Sequence, residues 1–159
     1  MKKVSLFMVI SSLLLITACG GGGDRTRAVV RIGTAGVLPE GVLLGAVHIK
    51  LSLPAGVTIK ASPDSANPSV LVADAGVIAP SEWVMATYAP AAGPVPGSVT
   101  ISIVKAEGMG LGEIAAVVCD FASGTSLNAA DFSLFDFDPR DLDGAHRETL
   151  TAGFTVEFL

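Results

Sequence analysis

The chain has 159 residues, half of them hydrophobic, and it carries 15 acidic against 10 basic side chains for a net charge of −5. This length suits a single domain with its own core, and the apolar content excludes a chain that is disordered throughout. A nucleic-acid-binding protein is also excluded, because it would need clustered lysine and arginine on a basic surface.

The chain begins with the pattern of an export signal. Lys2 and Lys3 supply positive charge, residues 4–16 are mostly apolar, and Thr17 and Ala18 are small, which is the order of a secretory leader. A transmembrane helix is disfavoured, since roughly 13 residues rising about 1.5 Å each span about 20 Å, short of the ~30 Å hydrocarbon core. The sequence therefore predicts a leader that ends at residue 18.

The end of this leader, Ile16–Cys19, resembles the lipobox of bacterial lipoproteins, an aliphatic residue and two small residues before a cysteine. The resemblance implies that residues 1–18 are removed and that Cys19 is acylated on sulfur, which anchors the protein in the cell envelope. Gly20 stands where an aspartate would retain a lipoprotein in the inner membrane, so the outer membrane of a Gram-negative bacterium is favoured. The alternative is an ordinary secretory signal with a cysteine there by chance.

Removal of the leader would also change the charge of the chain. Lys2 and Lys3 would be lost without any acid, which leaves 8 basic against 15 acidic residues and a net charge of −7. Such a chain gives no attraction to anionic lipid, so the membrane contact would depend on the covalent anchor. The glycine-rich residues 19–27 predict a flexible tether behind that anchor.

Most of the chain after the tether has the hydrophobic pattern of β-structure. In its plainest example Val47, Ile49 and Leu51 alternate with His48 and Lys50. A period of two predicts a half-buried strand. The same alternation recurs in three further segments, which are 57–60, 98–103 and 149–158.

Two further segments lack this alternation. Residues 114–121 are apolar at almost every position and predict a central strand covered on both faces, whereas residues 82–88 predict a weaker strand. Only residues 126–131 have the pattern of a helical turn, and clusters of Gly, Pro, Ser, Asn and Asp separate the strands. Many short strands with almost no helix predict an all-β fold, an antiparallel β-sandwich over residues 28–159.

The order of these segments resembles the cohesin-like modules of bacterial secreted and surface proteins, which are jelly-roll sandwiches related in fold to some carbohydrate-binding modules. The resemblance is carried by a long strand and turn at 45–57, a strand at 97–103, a core strand at 112–119, and a final hairpin of 132–138 with 150–158. It implies about nine strands and a partner protein gripped by one sheet face. No residue can be matched to the contacts that cohesins make with dockerin, a calcium-binding module, so dockerin binding is not implied.

Acidic residues are densest near the end of the chain. Four of them, Asp136, Asp138, Asp141 and Asp143, could supply oxygen ligands for a weak calcium site. An EF-hand is excluded, because placing Gly144 at the sixth loop position puts a proline first and a leucine twelfth, where acidic ligands are needed. The alternative is a hairpin in which the aspartates face water and residues 143 and 144 form the turn.

No group of residues predicts catalysis. His48 lies on the polar face of its strand and His146 in a polar segment, and no metal-binding or nucleophile motif is present in the sequence. Cys119 lies in an apolar run and is expected to be a buried, inert thiol. Trp83 is expected in the core, because together with Tyr88 it would not form a flat platform for sugar rings.

The sequence thus predicts a non-catalytic, lipid-anchored envelope protein that needs no cofactor other than the calcium considered above. Its expected role is to hold a partner protein, or a surface polysaccharide, near the membrane. A carbohydrate-binding module at the cell surface is the alternative, since a sandwich fold alone does not decide function.

Overall fold

A computed structural model of the chain describes residues 25–59 and 84–159. Within them the elements are β1 (Arg27–Gly36), β2 (Leu44–Leu53), β3 (Thr58–Ile59), β4 (Val84–Ala89), β5 (Gly97–Met109), β6 (Gly112–Asp120), a 3-10 turn (Ala129–Asp131), β7 (Ser133–Asp141) and β8 (Leu150–Phe158). β1 begins one residue before the predicted boundary of the folded part.

The strands form two four-stranded sheets in which every pair is antiparallel. Sheet I has the strand order β3-β6-β1-β8, and sheet II has the order β4-β5-β2-β7. The predicted all-β, antiparallel sandwich is confirmed at this level. Eight strands are present in the described ranges, against about nine implied by the resemblance.

A single core lies between the two sheets because alternate residues of the long strands point inward. In β2 the residues Val47, Ile49 and Leu51 are at most 1% exposed, and Ile101 and Ile103 of β5 are fully buried. Burial of each such side chain contributes about 1.5–3 kcal/mol. Sheet I supplies the facing layer, which includes Ala28, Val30, Ile32, Ala115, Val117 and Cys119. The alternation read from the sequence therefore identifies the inner faces correctly.

The strands without a clean alternation also form. β6 lies between β3 and β1, and four consecutive residues, 114–117, are buried in it, as expected for a strand covered on both faces. The weaker strand appears as β4, and the helical turn appears as the 3-10 turn, where Asp131 accepts a hydrogen bond from the backbone N–H of Asn128 at 2.7 Å. No helix in the described ranges is long and apolar enough to cross a membrane.

The predicted final hairpin is wrong, because β7 and β8 belong to different sheets. The chain does turn back after Asp141, and Arg140 and His146 form one antiparallel bridge. It then crosses to sheet I, where β8 pairs with β1 from Ala28 opposite Phe158 to Gly36 opposite Leu150. That continuous ladder satisfies the free side of β1, which a hairpin with β7 would leave unpaired.

β7 contains a β-bulge that changes which side chains face the core. His48 of β2 is opposite Asp138, and Lys50 is opposite Phe135, so two residues of β7 stand against Ile49 alone. Asp136, the first of the two, has φ of 54°, a left-handed conformation that aspartate tolerates better than most residues. Phe135 consequently faces outward although Phe137, two residues later, packs against the core.

Candidate functional site

The outer face of sheet II carries a mixture of exposed apolar and hydrogen-bonding side chains. Met85 is 72% exposed, Val104 is 54% exposed and Phe135 is 41% exposed. The strand registers place Met85 and Phe135 among polar side chains in two neighbouring rows across the sheet, whereas Val104 is opposite Ala46. One row is Met85, Ser102, His48 and Asp138, and the next is Thr87, Thr100, Lys50 and Phe135.

His48 lies in the centre of the first row and is fixed by its neighbour on β5. Its Nδ1 atom is 2.9 Å from Oγ of Ser102. The residue opposite His48 on the other side is Asp138, but the carboxylate of Asp138 is bonded to Arg140 and His146. These contacts do not assemble a serine–histidine–aspartate relay, which needs the carboxylate to orient the same histidine that activates the serine.

Lys50 connects β2 to the bulge of β7. Its Nζ atom is 2.7 Å from Oδ2 of Asp136 and 5.7 Å from the centre of the Phe135 ring, which is within the range of a cation–π contact. The ion pair holds the lysine across the exposed ring. Phe135 is therefore presented as a positioned aromatic group on the surface, bordered by one positive and one negative charge.

Asp138 is the centre of a charged cluster at the edge of this face. Its carboxylate accepts a hydrogen bond from Nε of Arg140 at 2.9 Å and lies 2.7 Å from Nδ1 of His146. The hydrogen bonds from His146 and from Arg140, in that order, lower the pKa of Asp138 below its usual range. The cluster ties the end of β7 to the segment that returns from the turn.

Asp141 stabilises that turn from the inside. It is only 5% exposed, and its carboxylate accepts hydrogen bonds from the backbone N–H groups of Asp143 at 3.0 Å and Ala145 at 2.8 Å and forms an ion pair with Arg147. Burial acts to raise the pKa of Asp141, but the N–H of Ala145 and the guanidinium of Arg147 outweigh it, so the pKa is lowered.

The four carboxylates considered for calcium are thus separated by the structure. Asp136 and Asp138 are each paired with basic side chains on the outer face, and Asp141 is turned toward the interior. Asp143 is exposed in the turn. Among the described residues no group of three or more histidine, cysteine or acidic side chains is arranged to hold a metal ion. The alternative, a hairpin with all of these aspartates facing water, does not describe this segment either, because Asp141 is buried and β7 and β8 belong to different sheets.

The outer face of sheet I has a different character. Its charges are paired across strands, with Arg31 3.1 Å from Glu113 and Arg27 3.3 Å from Asp120. Gly33 of β1 stands opposite Gly153 of β8, and this pair without side chains forms the floor of an open depression of about 310 Å³ beside Arg31. Phe154 also lines the depression, but its side chain packs against the core.

The other residues discussed in the sequence analysis fall into two groups. Some are described by the structure, and others lie outside the described ranges. Cys119 is fully buried, and burial, followed by the nearby charge of Asp120, raises its pKa to about 12, which makes the thiol inert. Tyr88 is partly buried and packs against the core. The leader, Cys19 with its lipidation, and Trp83 lie outside the described residues.

The exposed apolar residues of sheet II were not identified from the sequence. Met85 could have been found, because it alternates with Val84 and Ala86 along a strand in which the even positions pack inward. Phe135 could not have been found in this way. Strict alternation would put Phe135 and Phe137 on the same face of the sheet, whereas the bulge places them on opposite faces.

Comparison of the chain with models of protein families, with curated proteins and with solved structures finds no match.

Proposed function

We propose that this chain is a non-catalytic, lipid-anchored envelope protein that presents the outer face of sheet II to a partner protein. The observation that carries the proposal is the pair of exposed apolar side chains, Met85 and Phe135, which stand in rows with serine, threonine, histidine and lysine side chains. Aromatic and methionine side chains surrounded by polar groups are typical of the centres of protein interfaces. The hydrogen-bonded antiparallel sheet supports them.

The proposal includes a jelly-roll architecture of the cohesin-like kind. Consecutive strands alternate between the sheets at most steps, since β1, β3, β6 and β8 are in sheet I while β2, β4, β5 and β7 are in sheet II. Such alternation supports a jelly roll, in which the chain repeatedly crosses the core. The resemblance adds the expectation that a partner is gripped by one sheet face, and sheet II has the suitable surface.

The proposed location is the outer membrane of a Gram-negative bacterium, with attachment through acylated Cys19 after removal of residues 1–18. The order of charge, apolar run and small residues before the cysteine supports it. The first strand begins at Arg27, so the tether of residues 19–27 would hold the sandwich close to the membrane.

The binding face is tested by substitution of its apolar residues. Met85→Ser and Phe135→Ser should each weaken capture of an envelope partner by about tenfold or more, as expected for buried interface centres. Val37→Ser is the matched control, because Val37 is 74% exposed but lies in the connection after β1, away from this face. Capture from envelope extracts by the immobilised chain, followed by mass spectrometry, measures the effect. Equal capture by all three variants would exclude sheet II as the binding face.

A polysaccharide is the second candidate ligand of the same face. The exposed Phe135 ring lies on the same sheet face as the hydroxyls of Thr100 and Ser102, from which β2 separates it. This face therefore combines a stacking surface with hydrogen-bonding groups, both of which sugars use. Binding of the chain to a polysaccharide array, lost in Phe135→Ser and without a captured protein, would favour this candidate over the first.

A further inference from the structure

The two sheets end in four edge strands, β3, β8, β4 and β7, which differ in their length and in how far each edge is blocked from pairing with another strand. β3 has two residues, and β4 has six and adjoins residues 60–83, outside the described part. The edge of β7 is interrupted by the bulge at Asp136 and covered by its own returning chain, since the N–H of Arg147 donates to the carbonyl of Pro139 at 2.9 Å. β8 is the remaining edge and has nine residues.

β8 has few of the features that usually protect an edge from pairing with another strand. Its register with β1 is continuous, without a bulge, and it contains no proline and no lysine. Glu157 is its only charged residue. Among the described strands it pairs with β1 alone. Long, regular and nearly uncharged edges are templates for strand addition.

The hydrogen bonds at the chain ends show which backbone groups of β8 point outward. Arg27 and Leu159 exchange both N–H···O bonds, at 3.3 and 2.9 Å. Because such pairs alternate along an antiparallel ladder, the odd-numbered residues of β8 bond to β1. The N–H and C=O groups of Ala152, Phe154 and Val156 therefore point away from β1, along the free edge.

The same residues leave apolar surface incompletely covered. Ala152, Phe154, Val156 and Phe158 have their side chains toward the core, yet they are only partly buried. Leu134 and Phe137 of β7, the edge strand of the other sheet, are also partly buried. Among the described residues the sandwich is thus incompletely closed along its β7–β8 side, where outward-pointing backbone groups and partly buried apolar side chains occur together.

We propose that the edge of β8 pairs with β8 of a second copy of this chain, antiparallel about a two-fold axis at Phe154. Ala152 then stands opposite Val156 of the second copy, and Phe154 opposite its own counterpart, which allows about six hydrogen bonds between the chains. The pairing joins the two sheets I into one eight-stranded sheet. It also covers the partly exposed apolar side chains of both copies.

The side-chain pattern of β8 favours a second copy as the occupant. In this register a small residue meets a larger one, since Gly153 stands opposite Thr155 of the second copy on the outer face. Glu157 stands opposite Thr151 of the second copy. The two Glu157 side chains, which are the only charges of the paired strands, therefore do not face each other. Like charges directly opposite would be destabilising. A two-fold pair uses the same surface twice, which is the commonest symmetry of soluble oligomers.

Proline substitution tests the edge itself. In Ala152→Pro the lost N–H points outward and makes no bond to β1, so the fold should remain while pairing is blocked. Ala152→Val, which keeps the N–H, is the matched control. The full chain, produced with its own leader and extracted in a non-ionic detergent, is examined by sedimentation velocity over roughly 1–100 µM, where weak dimers dissociate. We expect dimers for the wild type and Ala152→Val, and monomers for Ala152→Pro. A monomeric wild type, or a folded Ala152→Pro dimer, would overturn the proposal.

Charge substitution tests the register of the proposed β8–β8 pairing. This test does not require the fold to accept a proline in β8. Thr151 is exposed on the outer face, so its replacement should leave the fold intact. Thr151→Glu would face Glu157 of the second copy twice in each dimer and should raise the dissociation constant about tenfold, whereas Thr151→Lys should lower it. Circular dichroism confirms folding of each variant. Equal dissociation constants for the two variants would exclude this register.

Discussion

At the scale of single residues, the sharpest constraint is a glycine at the end of β1. Gly36 has φ of 128°, and a Cβ atom built on it would lie 2.5 Å from the carbonyl oxygen of Thr149. Only glycine fits a left-handed backbone against another backbone at that distance. This close approach of the two backbones occurs where Gly36, the last residue of β1, pairs with Leu150, the first residue of β8.

We therefore expect Gly36→Ala to lower the free energy of unfolding by about 2–3 kcal/mol. Gly153→Ala is the matched control, since a Cβ there has no neighbour within 4 Å, and its effect should stay within about 0.5 kcal/mol. Urea denaturation followed by circular dichroism measures both. Equal stabilities of the two variants would show that the chain relaxes around Gly36 without cost.

Asp141 gives a prediction about pH. Its pKa is lowered in the folded chain, so it binds a proton more readily when unfolded, and its contribution to stability is present above about pH 4, the ordinary pKa of an aspartate. The contribution is lost as the pH falls through the lowered value. The pKa of Asp138 is also lowered, so Asp138 adds to the loss of stability at acidic pH.

Asp141→Asn should accordingly lower the melting temperature by several degrees at neutral pH, because Arg147 loses its ion-pair partner. The difference from the wild type should shrink below about pH 4, where the wild-type carboxyl is protonated as well. Asp143→Asn is the control, as that side chain is exposed in the turn. A difference that is constant from pH 7 to about pH 3 would contradict this role.

At the scale of elements, the strands were easier to predict than their pairing. Alternation along residues 47–53, 99–103 and 150–158 identifies β2, β5 and β8 and their inner faces, because the side-chain period of a strand is a local property. Pairing is not local. The turn around Gly144 has hairpin chemistry, yet the chain continues into the other sheet, since β1 offered a complete ladder for β8.

The candidate site was less predictable than the fold for a similar reason. Its polar members, His48 and Lys50, follow from alternation, but Phe135 depends on the bulge at Asp136. An aspartate can supply the left-handed residue of a bulge, as Asp136 does, but aspartate is equally common in turns between strands. No pattern in one sequence distinguishes these two uses.

The importance of β8 as an element can be tested by truncation. Removing residues 154–159 deletes Phe154, Val156 and Phe158 from the core and frees one side of β1. We expect loss of the cooperative unfolding transition and aggregation through the exposed strand. Leu159→Ala is the control, because that side chain is 54% exposed and the backbone bonds with Arg27 are kept. A truncated chain with normal thermal unfolding would contradict the placement of β8.

At the scale of the whole molecule, the proposed anchor and the folded part should be separable. Cys19→Ser is expected to release the protein from the membrane fraction while the sandwich stays folded, since a net negative charge provides no electrostatic attraction to anionic lipid. Cys119→Ser is the matched control, as that thiol is buried and not available for acylation. Fractionation and immunoblotting measure both variants. A Cys19→Ser protein that still sediments with the membrane would refute the covalent anchor.

The position of β1 in the middle of sheet I has a consequence for how the chain acquires its structure. Both neighbours of this first strand are made late, since β6 begins at Gly112 and β8 at Leu150. Sheet I cannot be completed until β8 has been synthesised, and pairing over such sequence distances is slow. If the chain is exported as proposed, it would pass through the export channel unfolded, because sheet I stays incomplete until β8 has followed.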